Sequence, residues 1–291
     1  MNKIFKIADI KILVDTDFDF IVTERFYDFI YSDNDYDVKY EFIKSRECIH
    51  FKSKPIYENL EYKIYEENDK IYRVFYECDN QEPYACLVIS NGIKHNYRCY
   101  LYPSYTKHRL SIINLFDIMA LEYIMIKQDT IILHSSYICY NNRAILFSAP
   151  SNTGKSTQAY LWNKYKNARI INGDRTFINK RDDKWIAHGS PYSGSSNIFK
   201  NESYNLGNII LLKQGELNKA YTPTFREIYS FLIKEITINY WDIDFYNKAI
   251  DILLDLINNI DVYTLECLPN KEAVELLEKV LGGTNKWIVI K

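Results

Sequence analysis

Residues 145–162 read ILFSAPSNTGKSTQAYLW. A glycine, a lysine and a hydroxyl residue fall at Gly154, Lys155 and Ser156, where an apolar, strand-like run gives way to helix spacing. That is the context a phosphate-binding loop requires. In such a loop the backbone amides of Ser151, Asn152, Thr153, Gly154, Lys155, Ser156 and Thr157 converge on an anion, and the dipole of the following helix favours its negative charge. Lys155 adds a point charge for the terminal phosphates, and the Ser156 hydroxyl is suited to ligate Mg²⁺. Gly154 lets backbone approach phosphate without a Cβ in the way. Ala149 stands where the strict pattern has a first glycine, but Pro150 pushes its predecessor toward extended geometry, which alanine adopts without strain.

Phosphoryl transfer also needs metal held opposite the loop and a carboxylate to orient or deprotonate the attacking hydroxyl. Asp174, closing RIINGD only 19 positions after Lys155, is the candidate for both tasks. Asp174 and Ser156 are thus the expected metal ligands. His134 opens the strand-like run before the loop, where it can bond Asp174 or a substrate. Arg175 is suited to reach phosphates or an acidic substrate. The segment HGSPYSGSSN has the small and hydroxyl residues of a loop that closes over a substrate.

These residues need elements to position them. The apolar stretch 110–126 reads as one buried helix. TIILHSSYICY and RAILFSA read as a hairpin turning at Asn141-Asn142 and leading into the loop. KSTQAYLWNKY has helix spacing, with Ala159, Tyr160, Leu161 and Trp162 as its buried residues. RIIN is a short strand, TFINKRDDKWIAHG a second hairpin, and LGNIILLKQ and DVYTLEC are strands. Helices are expected over 224–236, 242–259 and 270–281, the last stopping at Gly282-Gly283. Residues 1–105 are instead a series of β-branched and aromatic runs: KIADIKILV, KYEFIK, EYKIYEE, KIYRVFYEC, PYACLVIS and YRCYLY. The expected architecture is α/β with a mixed sheet over 106–291, preceded by a β-rich region, 1–105, that either recognises the substrate or packs on the core.

Composition narrows the function. A net charge of −2, with basic residues spread along the chain of 291, gives no stripe that would track nucleic acid. No apolar run reaches the ~18 residues of a membrane span. Six cysteines, Cys48, Cys78, Cys86, Cys99, Cys139 and Cys267, form no C-x-x-C pair and suit free thiols in a reducing cytoplasm.

The strings LHSSYICYNNRAILFSAPSNTGKSTQAYLW, ARIINGDR and HGSPYSG resemble proteins related to HPr kinase/phosphorylase, in the fold shared with phosphoenolpyruvate carboxykinase, over residues 110–281. In that family a histidine opens the strand before the loop, the loop holds nucleotide and metal, and a following strand ends in paired aspartates serving metal and catalysis. His134, Lys155, Ser156 and Asp174 match those positions. Gly173 takes the first aspartate's place, Thr157 stands where the bifunctional enzymes have glutamate, and the loop that binds HPr is not evident after Asp174. The resemblance implies a cytoplasmic kinase that uses ATP and Mg²⁺ to phosphorylate a serine-type hydroxyl of a peptide, protein or small molecule. A nucleotide-binding regulator without catalysis is the alternative. GTP or pyrophosphate as donor, and assembly into a homo-oligomer, are left open.

Overall fold

The computed structural model describes residues 1–77, 82–90, 96–105, 110–282 and 287–290. Cys78, Gly283 and the residues just past position 105 lie outside the described ones. The chain divides into two compact units, Met1–Leu121 and Glu122–Lys291.

The first unit carries β1 (Asn2–Ile7), β2 (Ile10–Thr16), β3 (Ile30–Tyr31), β4 (Val38–Lys44), β5 (Tyr57–Glu58), β6 (Tyr62–Glu67), β7 (Lys70–Tyr76), β8 (Pro83–Ser90) and β9 (Asn96–Leu101). Among the described residues they form one mixed sheet in the order β3-β1-β2-β4-β9-β8-β7-β6-β5. KIADIKILV, expected as one strand, is a hairpin instead. Ala8 and Asp9 take φ of 47° and 68°, the paired left-handed conformation of a two-residue turn whose twist matches the flanking strands. The rings of Phe5, Phe26 and Phe116 pack edge-on or tilted at 4.8–5.7 Å between centroids and are almost wholly buried.

The stretch expected as one helix over 110–126 is two, α1 (Ile112–Ile118) and α2 (Leu121–Lys127). Ala120, at φ 50°, interrupts the helical backbone between them. Apolar periodicity runs straight through the break, so the sequence pattern does not register it.

The second unit carries β10 (Ile131–Tyr140), β11 (Arg143–Ser148), α3 (Lys155–Lys166), β12 (Arg169–Asn172), β13 (Arg175–Arg181), β14 (Lys184–His188), β15 (Ser203–Gln214), β16 (Asn218–Tyr221), α4 (Phe225–Glu235), α5 (Ile243–Asn259), β17 (Asp261–Cys267), α6 (Lys271–Leu281) and β18 (Trp287–Ile290). Its sheet runs β11-β10-β13-β14-β15-β17-β16-β18, with β12 also paired to β10 and β11 also paired to β15. β11, β15 and β17 are parallel neighbours, and the β10–β11 and β13–β14 hairpins are antiparallel. The sheet is therefore mixed, as expected. The hairpins turn at Asn141-Asn142 and Asp182-Asp183, again with paired positive φ.

Both faces of this sheet are covered, which explains its near-continuous apolar strands. Along β11, Leu146 packs with Ile209, Leu211, Leu232, Phe245 and Leu253 on the α4/α5 side. Ile145 and Phe147 pack with Ile210, Leu212, Leu161, Trp162, Val274 and Leu277 on the α3/α6 side. Alternate residues thus serve opposite layers, the period-two rule of a strand. On α3, Tyr160 is 58% exposed and Gln158 buried, so the expected apolar face is corrected by one position: Ala159, Leu161 and Trp162 hold the core.

Candidate functional site

The site forms where β10, β11 and β13 meet. β11 ends at Ser148, directly opposite Ser135, and the chain then turns through residues 149–154 into α3. Gly154 is the N-cap of α3 at φ 111°, a conformation costly for residues with a side chain, and a Cβ built there meets nothing within 4 Å. Asn152 also takes positive φ, 64°, which asparagine tolerates better than most residues. Among the described hydrogen bonds, none uses the amides of Gly154, Lys155 or Ser156. These are the unpaired donors that begin any helix, and at an anion site they are what binds.

Lys155 is only 7% exposed. Its ammonium donates to the carbonyls of Ala149, at 2.8 Å, and Pro150, at 3.3 Å. Burial pulls its pKa down, while the charges of Glu235 and Asp174 push it up. The buried cation thus lies within the electrostatic reach of two carboxylates. Ser151, Asn152, Ser156 and Thr157 are exposed, and Thr153 is half-buried.

Asp174 occupies the bend between β12 and β13, both of which pair with β10. Since β10 separates β11 from β13, Asp174 stands about two strand spacings, ~10 Å of backbone, from the loop. The Asp174 carbonyl accepts from the Ser135 amide, and the Ser148 hydroxyl donates to the His134 carbonyl, so β10 ties the two halves together. Buried Asn172 fixes the bend: its Oδ1 accepts from the amides of Asp174 and Arg175, and its Nδ2 donates to Ser190 and to the Tyr192 carbonyl. Sequence reading passed over Asn172, although an Asn-Gly-Asp run is a turn signal.

His134 Nε2 lies 3.6 Å from Asp174 Oδ1, within ion-pair reach but beyond a hydrogen bond. The other ring nitrogen, Nδ1, is 2.9 Å from Glu235 Oε2, at the end of α4. Glu235 has no signal in the sequence, because only the fold brings a residue 101 positions away to the ring. Arg175 Nε is 3.7 Å from Asp174 Oδ2, and its guanidinium lies over the Tyr192 ring. His134, Asp174 and Arg175 therefore form one cluster, with Glu235 added, while Lys155 stays on the loop bonded to its carbonyls and feels the cluster through charge alone.

The HGSPYSGSSN segment packs onto the same bend. A Cβ at Gly194, which has φ 51°, would lie 3.1 Å from the Asp174 carboxylate. A Cβ at Gly173 would lie 1.8 Å from the Ser196 hydroxyl, so a side chain there would require Ser196 to move.

Among the described residues, no group of three or more His, Cys, Asp or Glu side chains is arranged to hold a metal. Ser156 and Asp174 supply hard oxygen donors, which fit a Mg²⁺ that takes most of its ligands from phosphate and water rather than an all-protein cage. Beside the loop, a cavity of about 330 Å³ is lined by Thr153, Gly154, Thr157, Gln158, Gln214 and Cys267. It lies at the carboxyl ends of parallel β15 and β17, where α/β sheets bind ligands.

No protein-family model matches the sequence, and no curated protein matches it. Among solved structures, the HPr(Ser) kinase/phosphatase from Coxiella burnetii is similar at a TM-score of 0.30 and 10% identity, over 53% of this chain and 88% of that one. A likeness of that degree fixes neither family nor function. No described helix is long and apolar enough to cross a membrane.

Proposed function

We propose that the second unit is a nucleotide-dependent phosphotransferase that moves the γ-phosphate of ATP to a hydroxyl acceptor on a peptide, protein or small molecule. One observation carries this reading: a buried lysine on a glycine-capped helix start lies within the field of a carboxylate, Asp174, that a histidine and an arginine flank. The loop amides and Lys155 would hold the β- and γ-phosphates and stabilise charge on the transferred group. Ser156 and Asp174 would hold Mg²⁺, which when bound neutralises phosphate charge. Asp174 would orient the acceptor hydroxyl and take its proton as the new O–P bond forms. The bond from γ-phosphorus to the bridging oxygen breaks, and ADP leaves with the electron pair. The cavity beside the loop is large enough for a nucleoside, which supports ATP or GTP over bare pyrophosphate.

The test is Asp174→Asn, assayed with γ-labelled ATP and Mg²⁺, with water or serine peptides as acceptor. Nucleotide affinity is expected to stay close to that of the unmodified chain while transfer and hydrolysis fall by ~10²-fold or more. Full turnover by the variant would end the assignment. Tight binding with no Asp174-dependent turnover in either protein would identify a nucleotide-binding regulator instead.

A further inference from the structure

Glu235 is the last residue of α4, a place where the helix dipole disfavours a carboxylate. Its side chain is nevertheless only 9% exposed, and a buried carboxylate needs a partner. Among the described contacts that partner is His134 Nδ1, at 2.9 Å. The backbone holds this meeting in register. Ile236, next to Glu235, bridges to Leu133, next to His134, and the Thr237 amide donates to the Ile132 carbonyl at 2.9 Å. The end of α4 is thus pegged to β10 on the strand segment that carries the histidine.

We propose that Glu235 is a positioning residue of the phosphotransfer site, an inference that rests on the reading above. Its carboxylate accepts the Nδ1 proton of His134 and sets the ring so that Nε2 faces Asp174. A side chain at Gly173 would collide with Ser196, so the bend offers Asp174 alone, and α4 brings a second carboxylate to His134 from the other side. Lys155 lies in the field of both carboxylates, Glu235 and Asp174.

The experiment compares Glu235→Gln and Glu235→Asp in the full chain, reading Mg-ATP hydrolysis with thermal melting, and adds Glu235→Ala for long-range ¹H–¹⁵N spectra of the His134 ring. For Glu235→Gln, kcat should fall by ~10-fold or more with the KM for ATP unchanged. The melting temperature should hold or rise, since a charge leaves an unfavourable helix end. Glu235→Asp should restore part of kcat. Unchanged kcat, or a loss of kcat that tracks a loss of melting temperature across the variants, overturns the proposal. If the unmodified chain hydrolyses no ATP, the phosphotransferase reading fails by itself. The spectra still decide the positioning role: a bonded Nδ1–H signal lost in Glu235→Ala supports it, and an unchanged ring spectrum overturns it.

Discussion

Lys155→Met separates what the loop lysine does for binding from what it does for folding. The ammonium is buried, and its pKa is held down first by that burial, against the raising effect of Glu235 and Asp174. A lysine whose folded pKa lies below its unfolded one penalises the folded state at neutral pH. The penalty fades only as pH rises past the folded pKa. Methionine removes the penalised charge along with the bonds to the Ala149 and Pro150 carbonyls, so free-protein stability should move by no more than ~1 kcal/mol in either direction. Nucleotide binding should behave differently. A charge-assisted hydrogen bond to phosphate contributes ~1.5–3 kcal/mol, which is roughly ten- to a hundredfold in affinity. Calorimetric titration with Mg-ATP and with tripolyphosphate reads both ligands on one scale, and both should weaken together. If the variant bound tripolyphosphate as tightly as the unmodified chain, Lys155 would not face the anion, and the loop would have lost its assigned role.

Three further expectations follow from packing and strain. Trp162 is wholly buried against Tyr140 and Phe147, so Trp162→Ala should cost ~3–5 kcal/mol and lower the melting temperature by roughly 6–20 °C; a drop of a degree or two would mean the α3 layer is looser than described. Gly194→Ala puts a side chain at φ 51° and against the Asp174 carboxylate, so transfer should fall with a stability loss of ~1–2 kcal/mol, checked by melting and ATPase assays on the same preparation. Burial, partly offset by a bond from Gln158, pushes the Cys267 thiol up to about 11. Its alkylation at pH 8 should therefore run on the order of a hundredfold slower than that of a free thiol and accelerate only as pH approaches 11, as followed by mass spectrometry.

Much of the second unit could be read from residue order because its signals are local. The Asn141-Asn142 turn and the glycine before Lys155 each act within a few residues of where they appear. The same locality placed Asp174 at a strand end near the loop. What escaped was set by distant contacts or by backbone angles that leave apolar patterning intact. The break at Ala120 interrupts a helix without interrupting its hydrophobic run, and the hairpin at Ala8-Asp9 uses an alanine where a turn signal would normally show. β16 and β18 are short strands paired with each other at one side of the sheet, too brief to carry a period. Glu235 reaches His134 only because the peg between Ile236 and Leu133 closes a long connection.

The fit of Ser196 into the space above Gly173 also restricts how this chain can change over generations. A side chain at 173 would overlap that of Ser196, so Ser196 or its loop must give way in the same step or before it. Positions 173 and 196 are thereby coupled, so substitutions there should be tolerated together rather than singly.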